Sequence, residues 1–103
     1  MFIAWTTLAD PETADRLAAE AVSRSLAVCV QVEGPVTSHY RWNSSQEKTA
    51  EFRLMFKVLP AQLPALAAWL HACHPYETPE WIVVRAEQVG EKYLSWAARS
   101  LDT

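Results

Sequence analysis

The chain has 103 residues, half of them apolar and a fifth charged, which fits one globular domain spanning 1–103 and leaves no room for a second. Nine basic against twelve acidic side chains give a formal net charge of −3, the reverse of the basic excess that a general nucleic-acid binder carries, so no nucleic-acid partner is expected. No apolar run approaches the roughly 18 residues needed to cross a bilayer, Met1–Leu8 lacks the basic and long apolar regions of a signal peptide, and two cysteines cannot build a disulfide framework; a cytoplasmic protein without a membrane partner is expected.

Met1–Leu8 is rich in strand formers and reads as a strand. Asp10-Pro11-Glu12 then supplies a cap, a first-turn proline and an acid at the positive end of a helix dipole. Ala14, Leu17, Ala18, Ala21 and Val22 recur at helical spacing, predicting an amphipathic helix over about 11–25. From Leu26 the period becomes two: Val28, Val30 and Val32 alternate with Cys29 and Gln31, and beyond Gly34-Pro35 the alternation resumes through Trp42. This predicts one long bent strand or two strands in line. The polar run 43–48 reads as a hairpin connection. Thr49–Val58 reads as a strand with Phe52, Leu54, Phe56 and Val58 inward. A second helix is expected over Pro60–Cys73, an extended loop over His74–Pro79 with its two prolines, a strand over Glu80–Glu87, and a helix over Glu91–Leu101.

The order β-α-β-β-α-β plus a C-terminal helix is the split βαβ, ferredoxin-like arrangement of the α+β class, an antiparallel sheet with helices on one face. Cys29, Met55, Trp81 and Val83 are expected on the other face, where they are poor choices for solvent. A partner copy is therefore expected to cover that face, since closed homo-oligomers are the commonest way to do so.

Several runs together resemble the CutA family of divalent ion tolerance proteins. Thr6-Thr7 with the acidic-proline helix start, Leu26-Ala27-Val28-Cys29-Val30, and Gly34-Pro35-Val36-Thr37-Ser38-His39-Tyr40-Arg41-Trp42 are similar to successive family segments. So are Lys57 at the end of a strand, the run His74-Pro75-Tyr76-Glu77-Thr78-Pro79-Glu80, and Tyr93-Leu94-Ser95-Trp96. The resemblance implies a homotrimer of ferredoxin-like protomers with clefts between copies, a role in metal-ion tolerance and response to metal ions, and copper or other divalent-metal binding. It also implies a likeness in architecture to the trimeric PII signalling proteins. Ser44 stands where the family usually has glycine, Val89 where it has the glycine before the last helix, and Thr6 where some members carry cysteine.

The soft or borderline metal donors are Cys29, Cys73, His39, His71 and His74, a set that favours copper or zinc over magnesium or calcium. Neither helical nor extended spacing brings His71, Cys73 and His74 to one ion, so a site centred on Cys29, Cys73 and His74 needs ligands from elsewhere, such as another copy. The proline-stiffened His74–Glu80 loop is expected to line a cleft with Tyr76 and Glu77, or else to be a structural crossover with His74 bonded to backbone. Lys57 suits a carboxylate or phosphate, or an ion pair with Glu51, Glu77 or Glu80 at the trimer contact. Tyr40 with Trp42, and Tyr93 with Trp96, share faces and serve packing or a ligand platform. No nucleophile elbow, P-loop, dinucleotide fingerprint or H-E-x-x-H motif is present, so no enzyme and no catalytic residue is expected. The principal expectation is a metal-binding homotrimer whose folding requires no cofactor. The alternative is a PII-like signalling or scaffold trimer taking a small anion or a partner protein in its clefts.

Overall fold

A computed structural model describes residues 1–101. The elements are β1 (Phe2–Leu8), α1 (Pro11–Ser23), β2 (Cys29–Trp42), β3 (Ser45–Val58), α2 (Leu63–Cys73), β4 (Ile82–Arg85) and α3 (Glu91–Ser100), with a single 3-10 turn at Pro60–Gln62 ahead of α2. The strands form one sheet in the order β2-β3-β1-β4, and every neighbouring pair is antiparallel. This is the ferredoxin-like arrangement that the element order predicts.

Local chemistry explains the helix ends. The Asp10 carboxylate accepts from the Thr13 N–H at 3.1 Å and the Thr13 hydroxyl at 2.7 Å, and these bonds hold its pKa below the usual carboxylate value. α1 stops at Ser23, two residues short of the expected end, because Ser25 adopts a left-handed φ of 57° and the Leu26 N–H returns to the Ala21 carbonyl at 2.8 Å. The small residues Ala14, Ala18 and Ala21 bring α1 close to the sheet, and Leu17 fills the space against Leu54, Phe56, Leu66 and Leu70. Buried Gln62 joins two connections: its Oε1 accepts from the Leu59 N–H and its Nε2 donates to the Ser25 carbonyl, each at 2.9 Å.

β2 is one strand, bent by a bulge between Glu33 and Val36. Gly34 occupies φ 144° there, and a Cβ on it would lie 2.9 Å from Phe52 Cδ1 and 3.0 Å from the Glu51 carbonyl oxygen. The hairpin connection is shorter than the polar run suggests. Only Asn43 and Ser44 turn, both at positive φ, while Gln46, Glu47 and Lys48 pair with Arg41, Tyr40 and His39. Polar side chains on an exposed ribbon look like loop residues, and this is why the sequence misleads there. Leu8 pairs with Phe52, so β3 residues before Phe52 have no β1 partner and project with β2 as a two-stranded ribbon.

Even-numbered residues of β1 and β3 face the helices: Ala4, Leu8, Leu54, Phe56 and Val58 are buried in the core. On the opposite face, register aligns Ile82, Trp5, Met55 and Gln31 in one row and Val84, Ile3, Lys57 and Cys29 in the next. Trp81 and Val83 are a correction to the expected outward set. Val83 pairs with inward-facing Ala4, and the Trp81 ring lies 6.2 Å from Phe56 and 5.6 Å from His71 on the helix side. Ile82 and Val84 are outward instead, 52% and 43% exposed. All four residues are apolar, so alternation cannot reveal the phase of β4, which its register with β1 sets. The strand is also shorter than the expected 80–87 span. Among the described residues no helix is long and apolar enough to cross a membrane.

Candidate functional site

The ribbon bends away from the sheet at the Gly34-Pro35 bulge, and the 74–80 loop runs beside it. Between them lies a cleft of about 780 Å³, within the roughly 300–1,000 Å³ range of small-ligand pockets. Tyr40 and Trp42 from β2 and Tyr76 from the loop give it aromatic walls. Glu47 and Glu51 from β3 and Glu77 and Glu80 from the loop give it carboxylates. Among the described residues no lysine or arginine lines it. Arg41 and Lys48 alternate to the other face of the ribbon.

A hydrogen-bonded chain fixes the loop. His74 Nδ1 accepts from the Tyr76 N–H at 3.0 Å, so the proton sits on Nε2, which donates to the Thr7 carbonyl at 3.0 Å with the Thr6 hydroxyl 3.1 Å away. Burial drives the His74 pKa below its ordinary value and favours this neutral ring. The Tyr76 hydroxyl donates to Glu51 Oε2 at 3.0 Å. Burial, with that bond and the Glu51 charge, pushes the Tyr76 phenol up to about 12.

Of the expected site residues, Tyr40, Trp42, Tyr76 and Glu77 come together in the cleft. Lys57, Tyr93 and Trp96 form a different patch. The Lys57 ammonium lies 5.4 Å from the Tyr93 ring centroid, and the Tyr93 and Trp96 rings are 5.4 Å apart. Within one protomer Lys57 therefore meets an aromatic ring, and the expected pairing with Glu51, Glu77 or Glu80 belongs to a contact between copies. Cys29, Cys73 and His74 do not converge: among the described residues no three His, Cys, Asp or Glu side chains are grouped to hold an ion. Cys29 is on the open sheet face opposite Lys57, and Cys73 ends α2, its thiol pKa raised by burial and by the Glu20 charge. His74 already has both ring nitrogens engaged. Among the cleft residues that sequence reasoning missed as a site is Glu51. It follows the same alternation as Arg53, Met55 and Lys57, so nothing local marks it.

The sequence matches the family described as CutA1 divalent ion tolerance protein over residues 2–100. The chain belongs to the CutA1 family. It is 36% identical over 95 residues to the divalent-cation tolerance protein CutA of Yersinia pestis, covering 92% of this chain and 80% of that one. Among solved structures, CutA from Synechococcus elongatus superposes with a TM-score of 0.92 at 35% identity, covering 97% of this chain and 88% of the other. CutA1 from Oryza sativa gives 0.91 at 31% identity, covering 96% and 91%. Membership of this family associates the chain with divalent ion tolerance.

Proposed function

We propose that this protein acts in metal-ion tolerance as a homotrimer that binds divalent or cuprous metal ions at or near the contacts between copies. The observation that carries the reading is the apolar open face of the sheet, where Ile82, Trp5 and Met55 lie side by side and Val84 and Ile3 continue the patch. A contiguous patch of this kind is normally an interaction surface. A trimer is the assembly that the CutA resemblance implies. Among the described residues one protomer does not bring three ligands to a point, so the metal site takes donors from more than one copy. Cys29 and Cys73, both free thiols, are its soft donors, and a reducing cytoplasm keeps them so. His74 joins them only by giving up a hydrogen bond. Ligand deprotonation makes affinity fall as pH falls.

Titration calorimetry with copper and zinc on the wild type and on Cys29→Ser, Cys73→Ser and His74→Ala tests the metal site. Loss of affinity by about tenfold or more in either cysteine variant supports it. Equal affinity in all three variants overturns it.

A second reading rests on Lys57, which among the described residues has an aromatic partner and no carboxylate partner. Its charge, beside Tyr93 and Trp96, suits a small anion in a PII-like sensing role. A rise in melting temperature with inorganic phosphate that persists in chelator and disappears in Lys57→Ala favours this reading over the first.

A further inference from the structure

We infer that α3 is a separately opening unit of the protomer: it detaches while the rest of the fold stays closed, and a second copy packed on the open sheet face holds it shut. The second half rests on the reading of that face as the contact between copies.

Three observations carry this. The first is how little α3 gives to the core. α1 places Leu17, Ala18 and Ala21 there and α2 places Leu66 and Leu70, whereas no α3 residue belongs to the core cluster. Ala97 is its buried residue, and one methyl group is a small anchor. Tyr93, Leu94 and Trp96 stay exposed.

The second observation is the attachment. Before α3 the chain is last bonded to the sheet at the Ala86 N–H, which donates to the Met1 carbonyl at 2.9 Å. Among the described residues no hydrogen bond or ion pair joins 87–99 to another element. The contact that docks the helix is the Tyr93 ring, 5.4 Å from the Lys57 ammonium, and an exposed cation–π pair is weak. The Tyr93–Trp96 ring pair lies within the helix and adds no attachment. The third is that α3 does not hold itself. At 10 residues it is shorter than the roughly 12–15 at which an isolated helix is even marginal. Gly90 at its N-cap has no side chain to bond the first N–H groups. Glu91 in the first turn and Arg99 in the last suit the dipole, a small gain at exposed positions. A helix held by neither core nor caps opens at far lower free energy than the core elements.

Lys57 also points to what closes it. It stands on the open sheet face in the row with Val84 and Ile3, so the Tyr93 ring borders that apolar patch and the Trp96 ring lies beside it. A copy seated on the patch covers both rings.

The experiment measures amide hydrogen exchange by NMR at Ala97 and Ala98 in α3 and at Ala18 and Ala21 in α1, in the wild type and in Ile82→Glu. In the wild type α3 is expected to exchange at least about tenfold faster than α1, and in single copies of Ile82→Glu at least about a hundredfold faster. The open form is a minor population, so circular dichroism does not change. Gly90→Asp supplies the missing cap at a position where a Cβ meets nothing within 4 Å, and is expected to slow α3 exchange about two- to fivefold with α1 unchanged. Equal rates in α3 and α1 of the wild type, or α1 slowing in step with α3 in Gly90→Asp, overturn the separate unit. If Ile82→Glu fails to fold, those two measurements decide. An α3 rate in Ile82→Glu equal to that of the wild type, with light scattering showing one copy, overturns the closing role of the second copy alone. A wild-type mass of one copy overturns the reading of the face itself.

Discussion

The Tyr76 hydroxyl donates a hydrogen bond to Glu51 Oε2 at 3.0 Å across 25 residues of sequence, tying the proline-bounded loop to the point where the ribbon leaves the sheet. Tyr76→Phe removes the donor and leaves a buried carboxylate oxygen unsatisfied. The expected cost is about 1–3 kcal/mol, read as a lower urea midpoint with an unchanged slope. The same contact predicts an alkaline signature. Folding favours the neutral phenol, so its contribution to stability is full below the ordinary tyrosine value of 10 and is lost as pH rises through about 12. The difference in phenolate absorbance between wild type and Tyr76→Phe should show a step near 12; a step near 10 would refute the contact.

Neutral His74 makes stability depend on pH in the opposite direction. Its folded pKa lies below the ordinary value of 6.5, so the unfolded chain takes up the proton first as pH falls. The His74 contribution is full above 6.5 and is lost as pH drops through that value towards the lower folded one. Melting temperatures of wild type and His74→Gln, measured from pH 8 to pH 5, should converge at the acid end. Parallel curves across that range would mean that the imidazole does not carry the effect.

Two backbone positions should respond to substitution with opposite signs. Gly34→Ala puts a methyl 2.9 Å from the Phe52 ring at a φ of 144° that alanine rarely adopts, and is expected to destabilise by about 1–3 kcal/mol. Ser44, at φ 66° in the hairpin turn, already bears the left-handed strain of an L-residue, and Ser44→Gly is expected to stabilise by about 0.5–1 kcal/mol. Thermal denaturation that moves both variants in the same direction would contradict the assigned backbone geometry.

The proposed trimer depends on the open sheet face, where Ile82 is 52% exposed in the isolated protomer. Ile82→Glu should leave circular dichroism unchanged while lowering the mass seen by light scattering from three copies to one at micromolar concentration. A wild-type mass of one copy, or a variant that keeps the wild-type mass, would remove this face as the interface.

Much of the fold is legible because its signals are local. Asp10 and Pro11 mark the start of α1, the spacing of Leu17, Ala18 and Ala21 marks its buried stripe, and alternation through Phe52, Leu54, Phe56 and Val58 gives the inward face of β3. The cleft is half legible. The prolines of the 74–80 loop and the shared face of Tyr40 and Trp42 point to it, and Pro79, Tyr40 and Trp42 line it. Glu51 does not stand out, because a carboxylate at an alternate position of a strand usually faces water. The split of Cys29 from Cys73 is equally hidden, since their separation depends on which side of the sheet each element lies.

Caps, periodicities and turn residues act over one helical turn or one strand, so the sequence by itself determined the elements, their order and the buried stripe of α1. Tertiary structure decided what depends on register and long-range approach. It set the phase of β4 that turns Trp81 toward the core and exposes Ile82, the bond from His74 to Thr7 across 67 residues, and the bond from Gln62 to Ser25 across 37. Those contacts form only once the strands have paired and the helices have packed, and no neighbouring residue specifies them in advance.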